Sequence, residues 1–480
     1  MKRPIIFNEL LKLSKRNMVS FHVPGHKNGK IFEKYNLNIN NNIGQFDITE
    51  IPGSDNLHAP EGIIKEAQKR AEAFYGGDHT FFLVNGTTCG IISMIMAVTN
   101  PGDKIIVQRD CHRSVVSGMI LGGVTPIYVK PQVDSSLLLS MAVTPESIEE
   151  AIKENPDAKA VIITYPNYYG ICSDIEKIVQ TVHRYNKILI VDEAHGSHLK
   201  LSDKLPISAL DAGADMVVQS THKTLPSFTQ SSMLHVRDGR VDIDKLKVML
   251  TLNQSSSPSY LLMASLDMAM TILVQEGNFL MEKLIKSIND FTKEIEEIEG
   301  LSLVSKELIG KYGVKDIDVT KLTINMKSLG IEGTRLEEIL RKKYNIQVEM
   351  ADIYNVLAVT SIANDRNDLS RLSRALRSIH DDKKIPHRKT ELPEFSFEIP
   401  KMRVLPREAV YSGKKSVELA QSRGRISGEY IIPYPPGIPL ICPGEVISEE
   451  IIEYVQILKN LGISVIGTSD ESLNTIKVIE

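Results

Sequence analysis

The sequence predicts an α/β fold in which helices cover both faces of a mostly parallel sheet. Between residues 81 and 236, short apolar segments alternate with amphipathic segments of helical period, which is the pattern of repeated β–α units. Two of the apolar segments, Ile188–Val191 and Met216–Gln219, contain almost no polar residue. Such runs are typical of parallel strands that are buried on both faces.

Polar residues follow both of these strands, at the sheet edge where open α/β folds bind ligands. The first strand leads into Asp192–Gly196 and the second into Ser220–Thr224. A lysine in such a position forms a Schiff base with a carbonyl cofactor, and a carboxylate keeps a pyridine nitrogen protonated. Asp192 and Lys223 therefore favour a pyridoxal phosphate site, whereas a lysine after a strand, taken alone, is more often a surface residue.

A third strand, Phe81–Val84, precedes Asn85-Gly86-Thr87-Thr88 and an apolar helix that extends to Val98. Gly86 permits close approach of the backbone, the two threonines supply hydroxyl groups, and a helix amino terminus supplies free N–H groups. This order predicts a phosphate-binding turn. The alternative for an isolated Gly-Thr-Thr is a threonine that only caps the helix.

The remaining segments extend the alternation. Further strands are predicted at Lys104–Val107, Pro126–Val129, Ala160–Thr164 and Ser231–Val236, of which the last is the candidate antiparallel strand. Helices are predicted to begin at Pro60 and near His112, and to span Pro145–Asn155 and Ile175–Tyr185.

The chain divides into five predicted segments. A long amphipathic helix, about Gly277 to Glu299, is expected to connect two domains, and a charged stretch with three prolines reads as a linker. The segments are an amino-terminal arm (1–58) with a Pro24-Gly25-His26-Lys27 loop, a large domain (59–276), a small α+β domain (277–380), a linker (381–400) and a carboxyl-terminal module (401–480).

Composition excludes several function classes. The 480 residues carry 56 basic and 60 acidic side chains, so no basic excess favours a nucleic acid or a membrane surface. No apolar stretch is long enough to cross a bilayer and no signal peptide is recognised, so a cytoplasmic location is expected. The four cysteines are scattered without metal-ligand spacing, which indicates free thiols and no metal site.

Several motifs together resemble the Orn/Lys/Arg decarboxylases, which belong to the aspartate-aminotransferase-like (fold type I) pyridoxal phosphate enzymes. The resemblance covers nearly the whole chain and implies the short bacterial form, without the amino-terminal wing of the longer enzymes. It also implies a mostly parallel sheet of the seven-stranded type. The motifs that carry it are Pro24–Lys27, Asn56–Gly62, Asp192–Gly196, Ser220–Lys223, Tyr434–Pro439 and Pro443–Glu445.

The resemblance assigns roles to individual residues. Lys223 would bind the aldehyde carbon of pyridoxal phosphate, and Asp192 would pair with the pyridine nitrogen. Ala194 would pack on one face of the ring, His112 would stack on the other, and His195 would lie near the ring hydroxyl or the reacting bond. The phosphate would be held at the Gly86 turn by Thr87, Thr88, Ser220 and His222.

The implied activity is decarboxylation of arginine, lysine or ornithine to the amine, feeding polyamine metabolism. Transamination, carbon–sulfur lysis and a non-catalytic homologue remain as alternatives. At least a homodimer is expected, with active sites at the interface. Candidate substrate residues are His26, Asp55 and Glu445, with Glu50 as a further acid. Asn167 departs from the Pro-Thr-Tyr that relatives commonly have at this place, so no role is carried over to it.

Overall fold

A computed structural model describes residue 10 and residues 13–16, 18–35, 43–382, 398–433 and 437–480. The amino-terminal arm contains β1 (Val19–Phe21) and the short helices α1 (Lys30–Lys34) and α2 (Ile43–Phe46). Strand β1 pairs in parallel with residues 346–348. The arm is therefore held against the small domain, more than 300 residues away in the sequence.

The large domain carries the predicted alternation of strands and helices. Its elements are α3 (Ile63–Tyr75), β2 (His79–Leu83), α4 (Gly86–Val98), β3 (Lys104–Gln108), α5 (Arg113–Gly122), β4 (Thr125–Val129), β5 (Val133–Asp134), β6 (Leu139–Ser140), α6 (Pro145–Glu154), β7 (Ala160–Thr164), β8 (Ile171–Cys172), α7 (Ile175–Arg184), β9 (Ile188–Asp192), β10 (Met216–Gln219), α8 (Thr221–Thr224), β11 (Ser232–Val236) and α9 (Ile243–Asn253), with a 3₁₀ turn at Leu199–Leu201.

Seven of these strands form one sheet in the order β2-β11-β10-β9-β7-β3-β4. Strand β11 is antiparallel to both of its neighbours, and the other strands share one direction. The predicted α/β fold and its antiparallel strand are confirmed. Because six strands run the same way, the loops after β2, β3, β7, β9 and β10 meet at one edge of the sheet.

One helix, α10 (Tyr260–Glu296), spans 37 residues and packs along the core of both domains. The sequence predicted a separate connector from about Gly277. Gly277 instead lies inside the continuous helix, where an added Cβ would come within 2.8 Å of a Leu201 methyl group. The glycine therefore serves close packing, and it does not break the helix.

The small domain contains β12 (Ser302–Leu303), β13 (Asp316–Ile317), β14 (Lys321–Asn325), α11 (Gly333–Tyr344), β15 (Ile346–Val348), β16 (Met350–Ala351), β17 (Asn355–Val359) and α12 (Arg366–Asp381), with 3₁₀ turns at Lys306–Leu308 and Lys327–Leu329. A four-stranded sheet has the order β12-β14-β17-β16. Strand β13 pairs with β8 of the large domain. This pairing places the small domain beside the edge of the main sheet at which the loops after the parallel strands meet.

The carboxyl-terminal module contains α13 (Pro406–Tyr411), β18 (Lys414–Glu418), β19 (Ile432–Pro433), α14 (Glu449–Asn460), β20 (Val465–Ile466) and β21 (Thr475–Ile479), with a 3₁₀ turn at Leu419–Gln421. It has a hydrophobic cluster of its own. Most of the predicted linker and the motif residues 434–436 lie outside the described residues. Among the helices that the structure does describe, none has the length and apolarity needed to span a bilayer.

Candidate active site

A cavity of about 240 Å³ lies at the carboxyl edge of the main sheet. Its lining comes from the loops after β2, β3, β7, β9 and β10, with one contribution from the carboxyl-terminal module. All ten residues predicted to bind the cofactor or to act in catalysis line this cavity: Gly86, Thr87, Thr88, His112, Asp192, Ala194, His195, Ser220, His222 and Lys223.

Lys223 lies in the single turn of α8 directly after β10. Its Nζ atom is 2.9 Å from Nε2 of His195. The Tyr168 ring packs against the imidazole with a centroid separation of 4.4 Å. Burial lowers the pKa of Lys223, although the charges of Asp192 and Glu349 oppose this shift. Burial thus favours the neutral amine, which is the form that reacts with a carbonyl group.

Asp192 ends β9 and is buried. Its Oδ1 atom accepts a hydrogen bond from the N–H of Ala194 at 3.1 Å. Burial raises the pKa of this carboxyl group, while the charge of Lys223 lowers it. A buried carboxylate is stable when a cation lies beside it, and the protonated nitrogen of a pyridine ring is a cation of that kind.

The turn before α4 has the backbone required of a phosphate site. Gly86 has a φ of 74°, which glycine adopts at little cost. Thr88 is exposed at the mouth of the helix, whereas Thr87 is buried. The Thr87 hydroxyl is hydrogen-bonded to the hydroxyl groups of Ser220 and, at 2.9 Å, of Ser232. Thr87 therefore ties the helix start to the neighbouring strand ends.

Two further histidines are fixed in neutral form. His112 caps α5, where its Nδ1 accepts the N–H of Ser114 at 3.2 Å. His222 Nδ1 lies 2.8 Å from the carbonyl oxygen of Ser231. Burial lowers the pKa of each ring to about 4, and the nearby charge of Lys223 adds to the shift. Both imidazoles are therefore uncharged near neutral pH.

The polar groups of the cavity fit pyridoxal phosphate. A lysine amine and a buried carboxylate lie on neighbouring strand ends, and a helix amino terminus lies beside them. Within the described residues, the Nδ1 atom of His195 and the hydroxyl group of Thr164, both from the cavity lining, are buried without a hydrogen-bond partner. Buried polar groups are rarely left in this state. A polar planar ligand with oxygen substituents supplies partners of the required kind.

The residues proposed for substrate binding do not line the cavity. The Asp55 carboxylate accepts the N–H groups of Gly62 and Ile64 at 2.9 Å each and so caps α3. Glu50 is exposed. The sequence cue was their acidic, irregular surroundings, but such loops also supply helix caps. Neither acid lines the cavity of its own chain, so a role of either in substrate binding stays a prediction that depends on a second chain.

His26 and Glu445 also lie outside the cavity lining. The His26 ring stacks on Phe32 at a centroid distance of 5.3 Å. Glu445 is fully buried, 3.0 Å from the guanidinium of Arg109, and it accepts the N–H of Cys442 at 2.7 Å. Neither residue lines the cavity of its own chain, and their expected contacts with a substrate stay predictions. Glu445 instead joins the carboxyl-terminal module to the large domain.

Several lining residues received no role from the sequence. Asn167 holds the loop after β7, because its amide donates to the Ser140 carbonyl at 2.9 Å and accepts from the N–H of Tyr169 at 3.0 Å. The others are Ile91, Asp110, Ser114, Ser140, Thr164, Tyr168, Tyr169 and Ile438. The position of Asp110 after β3, at the same sheet edge as Asp192, was the available signal.

Comparison with known families and proteins agrees with this architecture. A model of the Orn/Lys/Arg decarboxylase major domain matches residues 4–368, and a model of the C-terminal domain of the same family matches residues 392–470. The chain is 41% identical to an arginine decarboxylase of Bacillus subtilis, over 99% of this chain and 97% of that protein. It is 39% identical to an arginine decarboxylase of Bacillus anthracis over the same shares.

More distant relatives share the fold. The inducible lysine decarboxylase of Escherichia coli K12 is 26% identical, over 96% of this chain and 78% of that protein. The crystal structure of a Francisella novicida lysine decarboxylase superposes with a TM-score of 0.76 at 23% identity, over 99% of this chain and 81% of that one. The family models cover most of the sequence, so the chain belongs to the Orn/Lys/Arg decarboxylase family.

Proposed function

We propose that this chain is a pyridoxal phosphate-dependent decarboxylase whose preferred substrate is arginine. The observation that carries the proposal is the placement of Lys223 and Asp192 on neighbouring strand ends, with His195 in hydrogen-bond contact with the lysine. The choice of arginine rests on the two Bacillus relatives named arginine decarboxylase. The product would be an amine of the kind used in polyamine metabolism.

Different residues of the cavity have different roles in this reaction. Pyridoxal phosphate, when bound, supplies an aldehyde that combines with an amine and a ring that stabilises negative charge at the substrate Cα as carbon dioxide leaves. Asp192 would hold a proton at the ring nitrogen. Lys223 would carry the cofactor between turnovers, and burial favours the neutral form of its amine, which is the form that reacts with a carbonyl group.

His195 orients the Lys223 amine through the 2.9 Å hydrogen bond. Together they can return a proton to Cα after the carboxylate has left. His112, fixed by Ser114, would cover one face of the ring. Asp192 is buried, and water screens its charge less there than at the surface.

A product assay tests the proposal. Purified protein saturated with pyridoxal phosphate is incubated separately with arginine, lysine and ornithine, and carbon dioxide and the organic product are both measured. We expect carbon dioxide and amine in equal amounts, with the highest kcat/KM for arginine. A keto acid would identify an aminotransferase, sulfide from a sulfur amino acid would identify a lyase, and an inert holoprotein would favour a non-catalytic role.

A further inference from the structure

A second cavity, of about 280 Å³, adjoins the active-site cavity. The two share four lining residues, Asp110, Ser140, Tyr169 and Ile438. The second cavity lies where the large domain, the small domain and the carboxyl-terminal module meet, and apolar residues such as Leu440 and Tyr454 form much of its wall. Asp110 therefore lies at the boundary between the two cavities.

Asp110 is a carboxylate in the lining of both cavities, and it has no cationic hydrogen-bond partner among the described residues. It is only partly exposed, and burial raises its pKa. Its hydrogen-bond donors are both neutral, the Gln108 amide at 2.7 Å and the Ser140 hydroxyl at 2.5 Å. Within the described residues it forms no ion pair. A carboxylate has about four acceptor positions, so two remain for a further donor.

The neighbouring acids already have partners. Glu398, which lines the second cavity, is paired with Lys130 at 3.1 Å. Glu445 is paired with Arg109, whose guanidinium also donates to the carbonyl of Pro439 at 2.9 Å. The described hydrogen bonds of that guanidinium all go to the carboxyl-terminal module, although its charge still lowers the pKa of Asp110. The Asp352 carboxylate accepts from the hydroxyl of Tyr169 at 2.8 Å and from the backbone and side chain of Asn355. Apart from Asp192, which the cofactor ring would pair with, Asp110 is thus the lining acid without a charged hydrogen-bond donor among the described residues.

We infer that Asp110 recognises the remote cationic group of the substrate, which passes from the cofactor cavity toward the second cavity. This inference rests on the proposed function. A guanidinium offers two parallel N–H donors to a carboxylate, and Ser140 and Gln108 hold the Asp110 oxygens in place to receive them. The aliphatic part of the side chain would lie along Ile438. A buried carboxylate gains the most from such a partner, because it otherwise has none.

The test compares arginine with citrulline, its neutral analogue of nearly the same shape. In Asp110→Asn we expect kcat/KM for arginine to fall roughly 10- to 100-fold, the loss typical of a hydrogen-bonded charged group. The rate with citrulline should be nearly unchanged, as should the cofactor content measured by absorbance. Asp244→Asn, which removes an exposed charge on α9, should match the unmodified enzyme.

A second readout does not depend on turnover. Calorimetry with the holoenzyme should show weaker binding of the decarboxylated product of arginine to Asp110→Asn by a similar factor. If Asp110→Asn loses its cofactor, Asp110→Glu keeps the charge and should still favour arginine over citrulline. Loss of that preference in the glutamate variant would overturn the inference.

Other outcomes separate the two proposals. If the unmodified enzyme releases carbon dioxide from a basic amino acid but Asp110→Asn keeps its full preference for arginine, only the role of Asp110 is wrong. The role of Asp110 is also wrong if Asp352→Asn loses the preference for arginine over citrulline while Asp110→Asn keeps it. If no basic amino acid is decarboxylated, the proposed function fails, and the calorimetric comparison still decides whether Asp110 binds the cation.

Discussion

The Nζ atom of Lys223 and the Nε2 atom of His195 are 2.9 Å apart at the ends of adjacent strands. Burial lowers the pKa of both groups and so disfavours the charged form of each side chain. A single hydrogen atom between the two nitrogens then forms the hydrogen bond, and either nitrogen can be its donor. This arrangement suits an amine that must react in the neutral state and a neighbour that takes up or returns a proton.

Lys223 should be the residue that carries the cofactor. Reduction of the holoprotein with borohydride should fix the cofactor to one peptide that contains Lys223, as read by mass spectrometry. Lys223→Ala should keep its fold and lose turnover by at least roughly 10⁴-fold. Lys27 and Lys321 are also buried, and burial lowers their pKa to about 7 and about 8. A label on either of them would contradict the assignment.

Asp192→Asn should retain the cofactor and lose roughly 10²- to 10⁴-fold in kcat. The amide has nearly the same shape as the carboxylate, but it cannot stabilise a proton on the ring nitrogen. Cofactor content by absorbance and kcat with saturating arginine measure the two effects separately. Glu193→Gln, at the next position, is the matched comparison: Glu193 accepts from Ala209 and Gln219, and its loss should affect stability more than kcat. A near-normal rate in Asp192→Asn would mean that another acid protonates the ring.

The buried pair of Arg109 and Glu445 should stabilise the junction between the large domain and the carboxyl-terminal module. Their atoms are 3.0 Å apart, and the side chains are 10% and 0% exposed. Glu445→Gln should lower the free energy of unfolding by about 3 kcal/mol or more, because it leaves a buried cation unpaired. The double variant Arg109→Met/Glu445→Leu should lose less than either single variant, as measured by urea denaturation. Additive losses would contradict this explanation.

Acid should destabilise the protein partly through His235. This residue is buried in β11 beside Tyr75, and burial lowers its pKa to about 3. The unfolded chain takes up a proton near pH 6.5, so between these values it binds more protons than the folded chain. Stability from this group is therefore present above pH 6.5 and falls by about 1.4 kcal/mol for each unit of acidification.

The variant His235→Asn has an amide atom at the position of Nδ1, so it can keep the bond to Thr80 without this titration. Its unfolding midpoint should decline less steeply than that of the unmodified protein between pH 7 and pH 5. The other histidines titrate equally in both proteins, so they cancel in the comparison. Parallel declines would show that His235 does not contribute.

The fold could be predicted because its signals are local. Apolar strands such as Ile188–Asp192 and Met216–Gln219 differ clearly from the amphipathic helices between them, and parallel strands place their following loops at one edge. That rule alone brings Asp192 and Lys223 together. The helix α10 was predicted less well, because the reason for Gly277 is a contact with Leu201, 76 residues earlier.

The roles of the acidic residues could not be predicted in the same way. Whether a carboxylate binds substrate depends on the donors around it, and these are remote in sequence: Arg109 and Glu445 are 336 positions apart. Asp55 satisfies helix N–H groups that the sequence shows only as a turn. Asp110 stands in a motif that was noted as a helix start, and its cavity is formed only when three parts of the chain meet.

The active form should be a homodimer, as the sequence resemblance implies. Large apolar side chains are exposed on two neighbouring segments, Ile51 in the amino-terminal arm and Leu252 in α9, with 53% and 69% of their surfaces accessible. The segments lie side by side, because His58 is hydrogen-bonded to the carbonyl of Ser255 at 2.8 Å. Exposed apolar patches of this kind mark interfaces, and homo-oligomers most often have twofold symmetry.

Leu252→Asp should therefore shift the protein from dimer to monomer, since it would place a charge in a desolvated contact. Sedimentation velocity across a range of concentrations measures the change. Tyr411→Asp is the matched control, because Tyr411 is 77% exposed but lies in the carboxyl-terminal module, far along the chain. If the active sites are completed at the interface, the monomeric variant should also lose activity while keeping its fold by circular dichroism. A monomer with full activity would show that each chain builds its site alone, and an unchanged dimer would place the interface elsewhere.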